Sequence, residues 1–453
     1  VHLGGERMNT PQAPQPRVVI VGAGLVGSLL ACYLGRRGYE VQVFERRPDP
    51  RIATLERGRS INLALSERGL DALRRIGLDE DVMAPALPMH GRMMHAPDGT
   101  LTYQSYSADG TRAINSISRG SLNASLLDAA ARTEGVHITF DAPLIDVDLG
   151  GSVATFEVSG AAQRVDYRAL LGADGGGSAV RRVLVDAGIT TVTEDILQTG
   201  YRELHMPPVD GDFALDPDAL HIWPRGASMM IALPNPDRSF TCTLFWPKDE
   251  LTALSSPEEI LEHFRREYPD AVPLMPDLVG DYQHNPIGML GTVHTSRWHA
   301  HGNIGLIGDA AHAILPFFGQ GANCGFEDVV ELDRCLSETG DDWSAALPRY
   351  QERRQANADA IALLAKENFV EMRDKVNSKV FLASRKLEHA LERVLPGTYL
   401  SRYEMVSFTT IPYAEVIERD RKQRRFVIAG LATAGVAALA LVAGFASRAG
   451  RRS

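Results

Sequence analysis

The sequence predicts an α/β protein with a Rossmann-like nucleotide-binding domain, an interleaved β-sheet domain and a helical C-terminal part. Residues 17–45 read as strand, glycine-rich turn, helix and strand, the βαβ unit of a parallel sheet. Three runs rich in β-branched and aromatic residues (HIWPRG, SMMIALP and SFTCTLFWP) lie between residues 190 and 300 and predict a mixed or antiparallel sheet. Helical periodicity dominates from about residue 328 to residue 394.

The order of these segments divides the chain into interleaved regions, because 453 residues exceed what one small core organises. The nucleotide-binding domain is expected at 17–190 and 300–335, with strands of the second sheet inserted around 90–115. That second sheet is expected at 190–300, where it would cover one side of a substrate site. A helical region is expected at 336–420, and the polar, proline-rich residues 1–16 are expected to be disordered.

Composition argues against several classes of partner. The formal net charge is −10, whereas nucleic-acid binding needs a basic surface. The four cysteines lie far apart without a CxxC spacing, and the 13 histidines show no metal-ligand spacing. We therefore expect no nucleic-acid partner, no disulfide scaffold and no metal site.

The last thirty residues differ from the rest. Residues 426–446 carry no charge over 21 positions, follow the basic run RDRKQRR, and are long enough to cross a bilayer as a helix. The charge pattern predicts a membrane-spanning or membrane-associated helix that anchors a cytoplasmic protein to the cytoplasmic face. A buried or amphipathic C-terminal helix is the alternative. The N-terminus lacks the apolar core of a secretory signal.

A GxGxxG motif opens the first helix. Gly22 permits the tight turn, Gly24 lets the backbone approach a pyrophosphate, and Gly27 allows close helix–strand packing. Glu45, at the end of the second strand, is placed to accept hydrogen bonds from ribose hydroxyls. The motif predicts dinucleotide binding, but it does not distinguish FAD from NAD.

Two later segments favour a flavin. LLGADGGGSAVR (170–181) has the form of a DG fingerprint centred on Asp174, and NIGLIGDAAHAILPFFGQGAN (303–323) has the form of a GD fingerprint with Asp309 at a strand end. The turn Gly321, Ala322 and Asn323 opens another helix, whose N-terminal dipole can stabilise negative charge on a flavin. From residue 17 to about residue 330 the chain resembles the class A flavoprotein aromatic hydroxylases.

Less generic segments resemble the kynurenine 3-monooxygenase family over about residues 17 to 420. The resemblance implies FAD as the bound cofactor, NADPH as a transient co-substrate, and molecular oxygen. It implies hydroxylation of L-kynurenine to 3-hydroxy-L-kynurenine through a flavin hydroperoxide. The segments that carry the resemblance are RGRSINLALSERG (57–69), GRMMHAPDG (91–99), SISRGSLN (116–123), LPFFGQGANCGFED (315–328), NFVEMRDKVNS (368–378) and YEMVSFTTIPYAE (403–415).

The resemblance also implies the site residues. Arg92 and Tyr106 match the pair that holds the substrate carboxylate, and Asn368 and Tyr403 match further polar contacts. Pro316 and Phe317 match residues beside the substrate ring. No side chain is expected to act as an obligatory acid or base, because positioning and the flavin supply the chemistry. For FAD the resemblance adds five positions, namely Val26, Arg47, Ala64, Arg119 and Leu144.

Two alternatives remain open from the sequence. A related flavin hydroxylase could act on a phenol or a quinone precursor, and an apolar tail would suit such a membrane-dissolved substrate. A non-catalytic protein could use the same nucleotide-binding fold only for binding. The Arg92 and Tyr106 pair favours a carboxylate-bearing substrate over a phenol or quinone precursor. The intact GD segment argues against a non-catalytic binding protein.

Overall fold

The computed structural model describes residues 17–52, 62–372, 379–395 and 397–427. Its strands, numbered in chain order, are β1 (Val18–Val21), β2 (Val41–Phe44), β3 (Asn62–Leu65), β4 (Leu87–Met89), β5 (Gly91–His95), β6 (Leu101–Ser105), β7 (Ile114–Ser118), β8 (Val136–Thr139), β9 (Leu144–Asp148), β10 (Val153–Val158), β11 (Ala161–Asp166), β12 (Ala169–Gly172), β13 (Val192–Met206), β14 (Ala219–Arg225), β15 (Ser228–Pro234), β16 (Phe240–Pro247), β17 (Gly288–Thr295), β18 (His299–Ala300) and β19 (Ile304–Leu306).

The helices cover both sheets and form the C-terminal part. They are α1 (Leu25–Arg36), α2 (Glu67–Arg74), α3 (Asp79–Met83), α4 (Arg119–Arg132), α5 (Ala179–Asp186), α6 (Lys248–Ala253), α7 (Pro257–Glu267), α8 (Leu278–His284), α9 (Gly321–Thr339), α10 (Trp343–Val370), α11 (Lys379–Val394) and α12 (Arg402–Ser407). A further helical stretch covers residues 413–427.

A six-stranded sheet in the order β18-β19-β12-β1-β2-β8 forms the nucleotide-binding layer. Only β18 runs antiparallel to its neighbour, β19. Strand β1 lies in the middle, where Val18 pairs with Val41 on one side and with Ala169 on the other. All four β1 residues are buried, because α1 and other helices cover the sheet. The predicted βαβ unit is confirmed, with its helix ending at Arg36.

The second large sheet has seven strands in the order β17-β13-β16-β15-β14-β5-β6. It is mixed, because β14 and β5 are parallel while the other pairs are antiparallel. Side chains alternate across it, so that Met229 belongs to the buried cluster of Phe317 on one face while Met230 belongs to that of Trp223 on the other. Helices α6, α7 and α8 cover the second face, which leaves the first face for a cavity.

Two three-stranded sheets complete the β structure, in the orders β11-β10-β9 and β3-β7-β4. The small sheet β3-β7-β4 supplies Ala64 to the cavity wall, and α2 follows β3 directly. Helices α9 and α10 pack against each other beside the parallel sheet. The α/β fold class with its second sheet and helical C-terminal part is confirmed.

No helix in the part of the chain that the structure describes has the length and apolarity required to cross a membrane. The predicted disordered segment 1–16 and almost all of the predicted membrane helix, residues 428–446, lie outside the described residues. The same holds for residues 57–61 and 373–378 of the segments on which the family resemblance rests.

Candidate active site

A cavity of about 640 Å³ runs between the parallel sheet and the seven-stranded sheet. Its walls include the turn after β1, the ends of β2 and β12, the turn after β19 and the first residues of α9. The seven-stranded sheet contributes side chains from β5, β14, β15 and β16. Ligand sites of this size are typical of proteins, and this one lies at the carboxyl ends of the parallel strands.

The glycine motif has the geometry of a dinucleotide-binding turn. Gly22 has a φ of +101°, and a Cβ there would lie 2.6 Å from the carbonyl oxygen of Ala173. A Cβ on Gly27 would lie 2.0 Å from the Gly22 oxygen, so only glycine allows α1 to approach β1 this closely. A Cβ on Gly24 would meet no protein atom within 4 Å, and Gly24 lines the cavity. Gly22 and Gly27 thus lie against other protein atoms, whereas Gly24 leaves space for a ligand.

Glu45 fixes the end of β2 at the cavity wall. Its Oε2 accepts a hydrogen bond from the backbone N–H of Ala23 (2.9 Å), and its Oε1 accepts one from the Arg47 side chain (2.9 Å). Burial opposes the negative charge of Glu45, but the bonds from Arg47 and Ala23 outweigh it and lower the pKa of the carboxyl group. Glu45 and Arg47 both line the cavity, as does Leu144.

Asp309 lies at the other end of the predicted cofactor region. Burial within the protein raises the pKa of Asp309, and the nearby Arg119 guanidinium opposes that rise. Its side chain is nonetheless solvent-accessible, because it faces the cavity. Arg119, at the start of α4, and Val26, on α1, line the same space. The predicted DG and GD segments therefore meet the glycine turn at one cavity.

The N-terminus of α9 faces the cavity through the small residues at its first two positions, Gly321 and Ala322. Asn323 points the other way, because its Oδ1 accepts a bond from the backbone N–H of Ser66 (3.0 Å). Its Nδ2 donates to the carbonyl oxygens of Ala64 (2.9 Å) and Gly319 (2.8 Å). Asn323 thus holds together two backbone segments of the cavity wall.

Asp174 lies on the cavity wall and also caps α5. Its carboxylate accepts hydrogen bonds from the Ser178 hydroxyl (2.5 Å) and the backbone N–H of Ala179 (2.6 Å). Burial raises the pKa of Asp174, while these bonds act in the opposite direction. From the same helix, Arg181 donates to the carbonyl oxygen of Ala310 (2.9 Å), which ties α5 to the turn carrying Asp309.

Arg92 is a buried cation at the opposite end of the cavity. The residue is 8% exposed, and its guanidinium carbon lies 4.8 Å from the centre of the Tyr403 ring and 5.7 Å from that of Tyr106. The two rings stack at 5.0 Å. Its Nε has no hydrogen-bond partner. No carboxylate of the described ranges forms a salt bridge with Arg92, and Glu371 acts on its charge electrostatically from a greater distance. All three side chains line the cavity.

Aromatic and apolar side chains surround the rest of this end. The ring centre of Phe317 lies 4.1 Å from that of Phe369 and 5.0 Å from that of Phe245. Phe318 stacks on Tyr403 at 5.7 Å. Except for Phe369, these rings line the cavity together with Pro316, Met229 and Met372. A ligand with an anionic end and an aromatic ring is complementary to this arrangement.

Asn368 does not line the cavity. Its Nδ2 donates a hydrogen bond to the carbonyl oxygen of Phe317 (2.6 Å) and contacts the sulfur of Met372 (3.3 Å). Asn368 thereby holds the turn that presents Phe317. Its predicted contact with substrate stays a prediction.

Most predicted site residues meet at the one cavity, and three do not line it, namely Gly27, Asn323 and Asn368. The predicted residues that line it are Gly22, Gly24, Val26, Glu45, Arg47, Ala64, Arg92, Tyr106, Arg119, Leu144, Asp174, Asp309, Pro316, Phe317, Gly321, Ala322 and Tyr403.

Asp328 is a buried residue that supports the turn before Asp309 from behind the cavity wall, and the sequence did not suggest it. Its Oδ2 accepts from the backbone N–H of Gly308 (3.0 Å), directly before Asp309, and bonds His312 Nε2 (2.6 Å). Its Oδ1 accepts from Arg354 (2.7 Å). His312, Cys324 and Asp328 lie close enough to suggest a metal site, but the Arg354 guanidinium already bonds both Cys324 and Asp328. A cation is therefore already supplied by the protein.

Comparison with known proteins identifies the family. A family model described as FAD binding domain matches residues 15–364. Kynurenine 3-monooxygenase of Myxococcus xanthus (strain DK1622) is 47% identical over 408 residues, which cover 89% of this chain and 88% of that protein. The chain belongs to the kynurenine 3-monooxygenase family. The enzyme of that name from Dictyostelium discoideum is 43% identical over 413 residues, covering 88% of this chain and 89% of that protein.

Membership in the kynurenine 3-monooxygenase family confirms the recognition made from the sequence, and with it an FAD-dependent monooxygenase. Solved structures support the fold. A 2-methyl-3-hydroxypyridine-5-carboxylic acid oxygenase superposes with a TM-score of 0.66 at 20% identity, covering 83% of this chain and 96% of its own. PqsL of Pseudomonas aeruginosa, in complex with 2-aminobenzoylacetate, superposes with a TM-score of 0.65 at 22% identity, covering 79% and 97%.

Proposed function

We propose that the protein hydroxylates L-kynurenine at ring carbon 3, with FAD as bound cofactor and with NADPH and molecular oxygen as co-substrates. The observation that carries the proposal is the buried Arg92, which faces the cavity between Tyr106 and Tyr403 and forms no salt bridge with a carboxylate of the described residues. L-kynurenine has an amino-acid carboxylate at one end and an aromatic ring at the other. Its carboxylate can form a salt bridge with Arg92, and its ring matches the apolar end of the cavity beside Phe317.

The residues of the glycine turn and its surroundings suit FAD. The open face of Gly24 and the N-terminus of α1 offer N–H groups to a pyrophosphate, and α9 offers its N-terminus to the flavin ring. When bound, FAD accepts hydride from NADPH and activates oxygen. The residues proposed to hold it are Gly22, Gly24, Val26, Gly27, Glu45, Arg47, Ala64, Arg119, Leu144, Asp174, Asp309, Gly321, Ala322 and Asn323.

The protein's own part in the reaction is to position the substrate and exclude water. Arg92 binds the carboxylate, and Tyr106 and Tyr403 limit where it can lie. Pro316 and Phe317 pack beside the substrate ring, and the seven-stranded sheet closes the cavity over it. The aniline nitrogen of kynurenine already donates electron density to carbon 3, so the mechanism requires no strong protein base.

Asn368 has a positioning role in this proposal. Its bond to the Phe317 carbonyl oxygen fixes the ring that lies against the substrate. NADPH is proposed to bind transiently and then leave. In support, only one of the sheets in the described part, the six-stranded one, has a run of adjacent parallel strands that could hold a dinucleotide permanently.

The test begins with the absorption spectrum of purified protein, which should show bound flavin. NADPH oxidation is then followed with L-kynurenine and, as control, with a phenol of similar size that lacks a carboxylate. The proposal expects kynurenine to stimulate NADPH oxidation and to gain one oxygen atom, with the phenol inactive. Equal stimulation by the phenol, or colourless protein, would reject it.

The apolar segment 426–446 carries a separate proposal, that it attaches the protein to the cytoplasmic face of a membrane. The support is its length, its lack of charge and the basic run before it. Carbonate washing of membranes from a host that expresses the full chain tests this. Retention of the full chain with release of a variant ending at residue 425 is expected, and complete release of both would refute it.

A further inference from the structure

Arg68 is a fully buried cation that the mechanism above does not use. It lies in the first turn of α2, three residues after β3. Its Nε donates to the carbonyl oxygen of Val406 (3.1 Å), and its Nη2 donates to those of Met405 (3.3 Å) and Ile411 (2.5 Å). Its guanidinium carbon lies 3.8 Å from the centre of the Tyr413 ring. Arg68 therefore binds the C-terminal end of α12 and the segment after it.

Helix α12 carries Tyr403 on its first turn. That ring lies 4.8 Å from the Arg92 guanidinium carbon and stacks on Tyr106. Met405 and Val406, the residues whose carbonyl groups Arg68 holds, are fully buried on the same short helix. The position of Tyr403 over Arg92 therefore depends on where Arg68 holds α12.

Arg68 is also the first member of a chain of charges, buried except for the half-buried Glu327, that leads to the cofactor turn. Its Nη1 pairs with Glu327 (2.5 Å), and Glu327 pairs with Arg354 (3.0 Å). Arg354 pairs with Asp328 (2.7 Å), whose other oxygen accepts from the Gly308 N–H beside Asp309. Two guanidinium groups and two carboxylates alternate, so each buried charge has opposite neighbours.

We propose that Arg68 is a positioning residue for substrate binding, which fixes Tyr403 relative to Arg92 and is itself held in place by its salt bridge with Glu327. A single guanidinium fork is suited to this task because it reaches three carbonyl oxygens and one carboxylate at once. A lysine ammonium keeps the charge but cannot reproduce that fork. The inference rests on the proposed function, since it takes kynurenine as the ligand of Arg92 and Tyr403.

The test is the affinity for L-kynurenine, measured on FAD-loaded protein by titrating the absorbance change of the bound flavin. Arg68→Lys is expected to raise the dissociation constant about tenfold, the equivalent of one lost hydrogen bond at the ligand. KM should rise in parallel while kcat and the ratio of FAD to protein stay close to those of the wild type. A purely structural role would instead lower FAD content and thermal stability without this selective loss.

A double-mutant cycle with Tyr403→Ala identifies the route. If Arg68 acts through Tyr403, Arg68→Lys should have almost no further effect on kynurenine affinity in the Tyr403→Ala background.

The matched control is Arg202→Lys. Arg202 is also buried and donates to the carbonyl oxygen of Tyr282. Its guanidinium carbon lies 4.2 Å from the centre of the Tyr282 ring, but Arg202 does not line the cavity. Its substitution should change stability and leave kynurenine affinity unchanged.

Glu327→Gln provides a second route to the answer if Arg68→Lys does not fold. It keeps the shape of the side chain while removing the charge between Arg68 and Arg354, and it should weaken kynurenine binding in the same direction. Unchanged affinity in both variants, or an equal loss with and without Tyr403, overturns the inference alone. Wild-type protein that binds no kynurenine overturns the proposed function, and the inference with it.

Discussion

Replacing Arg92 with methionine separates a carboxylate-binding role from a packing role. The residue is 8% exposed and forms no salt bridge with a carboxylate in the described part of the chain, so a substrate carboxylate would form a desolvated ion pair there. Losing one partner of such a pair costs about 2–5 kcal/mol, which corresponds to roughly a 30- to 5,000-fold higher dissociation constant for L-kynurenine. FAD should stay bound, since Arg92 lies at the opposite end of the cavity from the glycine turn.

The stability of the ligand-free protein supplies a second signature. Arg92→Met removes the contacts with two tyrosine rings, but it also removes a buried charge that forms no salt bridge within the described residues. The two effects oppose each other, so the free energy of unfolding should stay within about 1 kcal/mol of the wild-type value. If Arg92 served only for packing, the substitution would lower the free energy of unfolding by more than this.

The assay compares L-kynurenine with kynuramine, the analogue that lacks the carboxylate. Titration of bound flavin absorbance gives dissociation constants for both ligands with both proteins. The wild type should prefer kynurenine strongly, and Arg92→Met should show almost no preference, because each change removes the same interaction. Equal weakening of both ligands by the substitution would refute the reasoning.

Four further substitutions test other parts of the site and the fold. Gly22→Ala places a Cβ 2.6 Å from the Ala173 oxygen at a φ of +101°, and should cost about 2–3 kcal/mol in thermal unfolding and release FAD. Gly24→Ala meets no protein atom within 4 Å, so the melting temperature of the apo protein should hold while FAD affinity falls. Phe317→Ala opens the apolar end and should raise hydrogen peroxide release per NADPH consumed. His221→Asn should flatten the acid limb of the stability curve. Burial lowers the pKa of His221 from 6.5 to about 4, so the unfolded chain takes up its proton first and stability is lost as pH falls through that window. The free energy of unfolding should fall by about 3 kcal/mol between pH 6.5 and pH 4 in the wild type. The same fall in the His221→Asn variant would contradict this account.

The cofactor end of the site could be predicted from local sequence. A buried parallel strand must be continuously apolar, and a chain passing over a pyrophosphate needs glycine at fixed spacing, so Val18–Val21 and the glycine turn are recognisable within about ten residues. Asp174 and Asp309 each follow a strand of the same sheet, which brings both carboxyl groups to one edge. FAD as cofactor is confirmed by the family.

The substrate end depended on family resemblance, because distant segments form it. Arg92 on β5 pairs with Leu220 on β14, and Tyr403 comes from a helix that begins only at Arg402. No local period indicates which side chains of these segments face each other. The family resemblance indicated the residues, and the structure shows two tyrosine rings beside the buried Arg92 guanidinium.

The charge network of Arg68, Glu327, Arg354 and Asp328 could not be predicted from the sequence either, because its members come from distant segments. Arg68 and Glu327 are 259 positions apart, and Arg354 reaches Asp328 from another helix. One signal was available. Arg68 lies on the same face of α2 as the buried Ala72, four residues later, so a charged residue stands where the helical period predicts the core. Such a residue requires a buried partner.

The central claim is that one cavity places kynurenine where oxygen is transferred to its ring. Purified, FAD-loaded protein incubated with NADPH and L-kynurenine under isotopically heavy oxygen gas tests it most directly. The account predicts 3-hydroxykynurenine that carries one heavy oxygen atom, with product formation greatly reduced in Arg92→Met at low substrate concentration. Recovery of unmodified kynurenine, or of product without the heavy isotope, would contradict it.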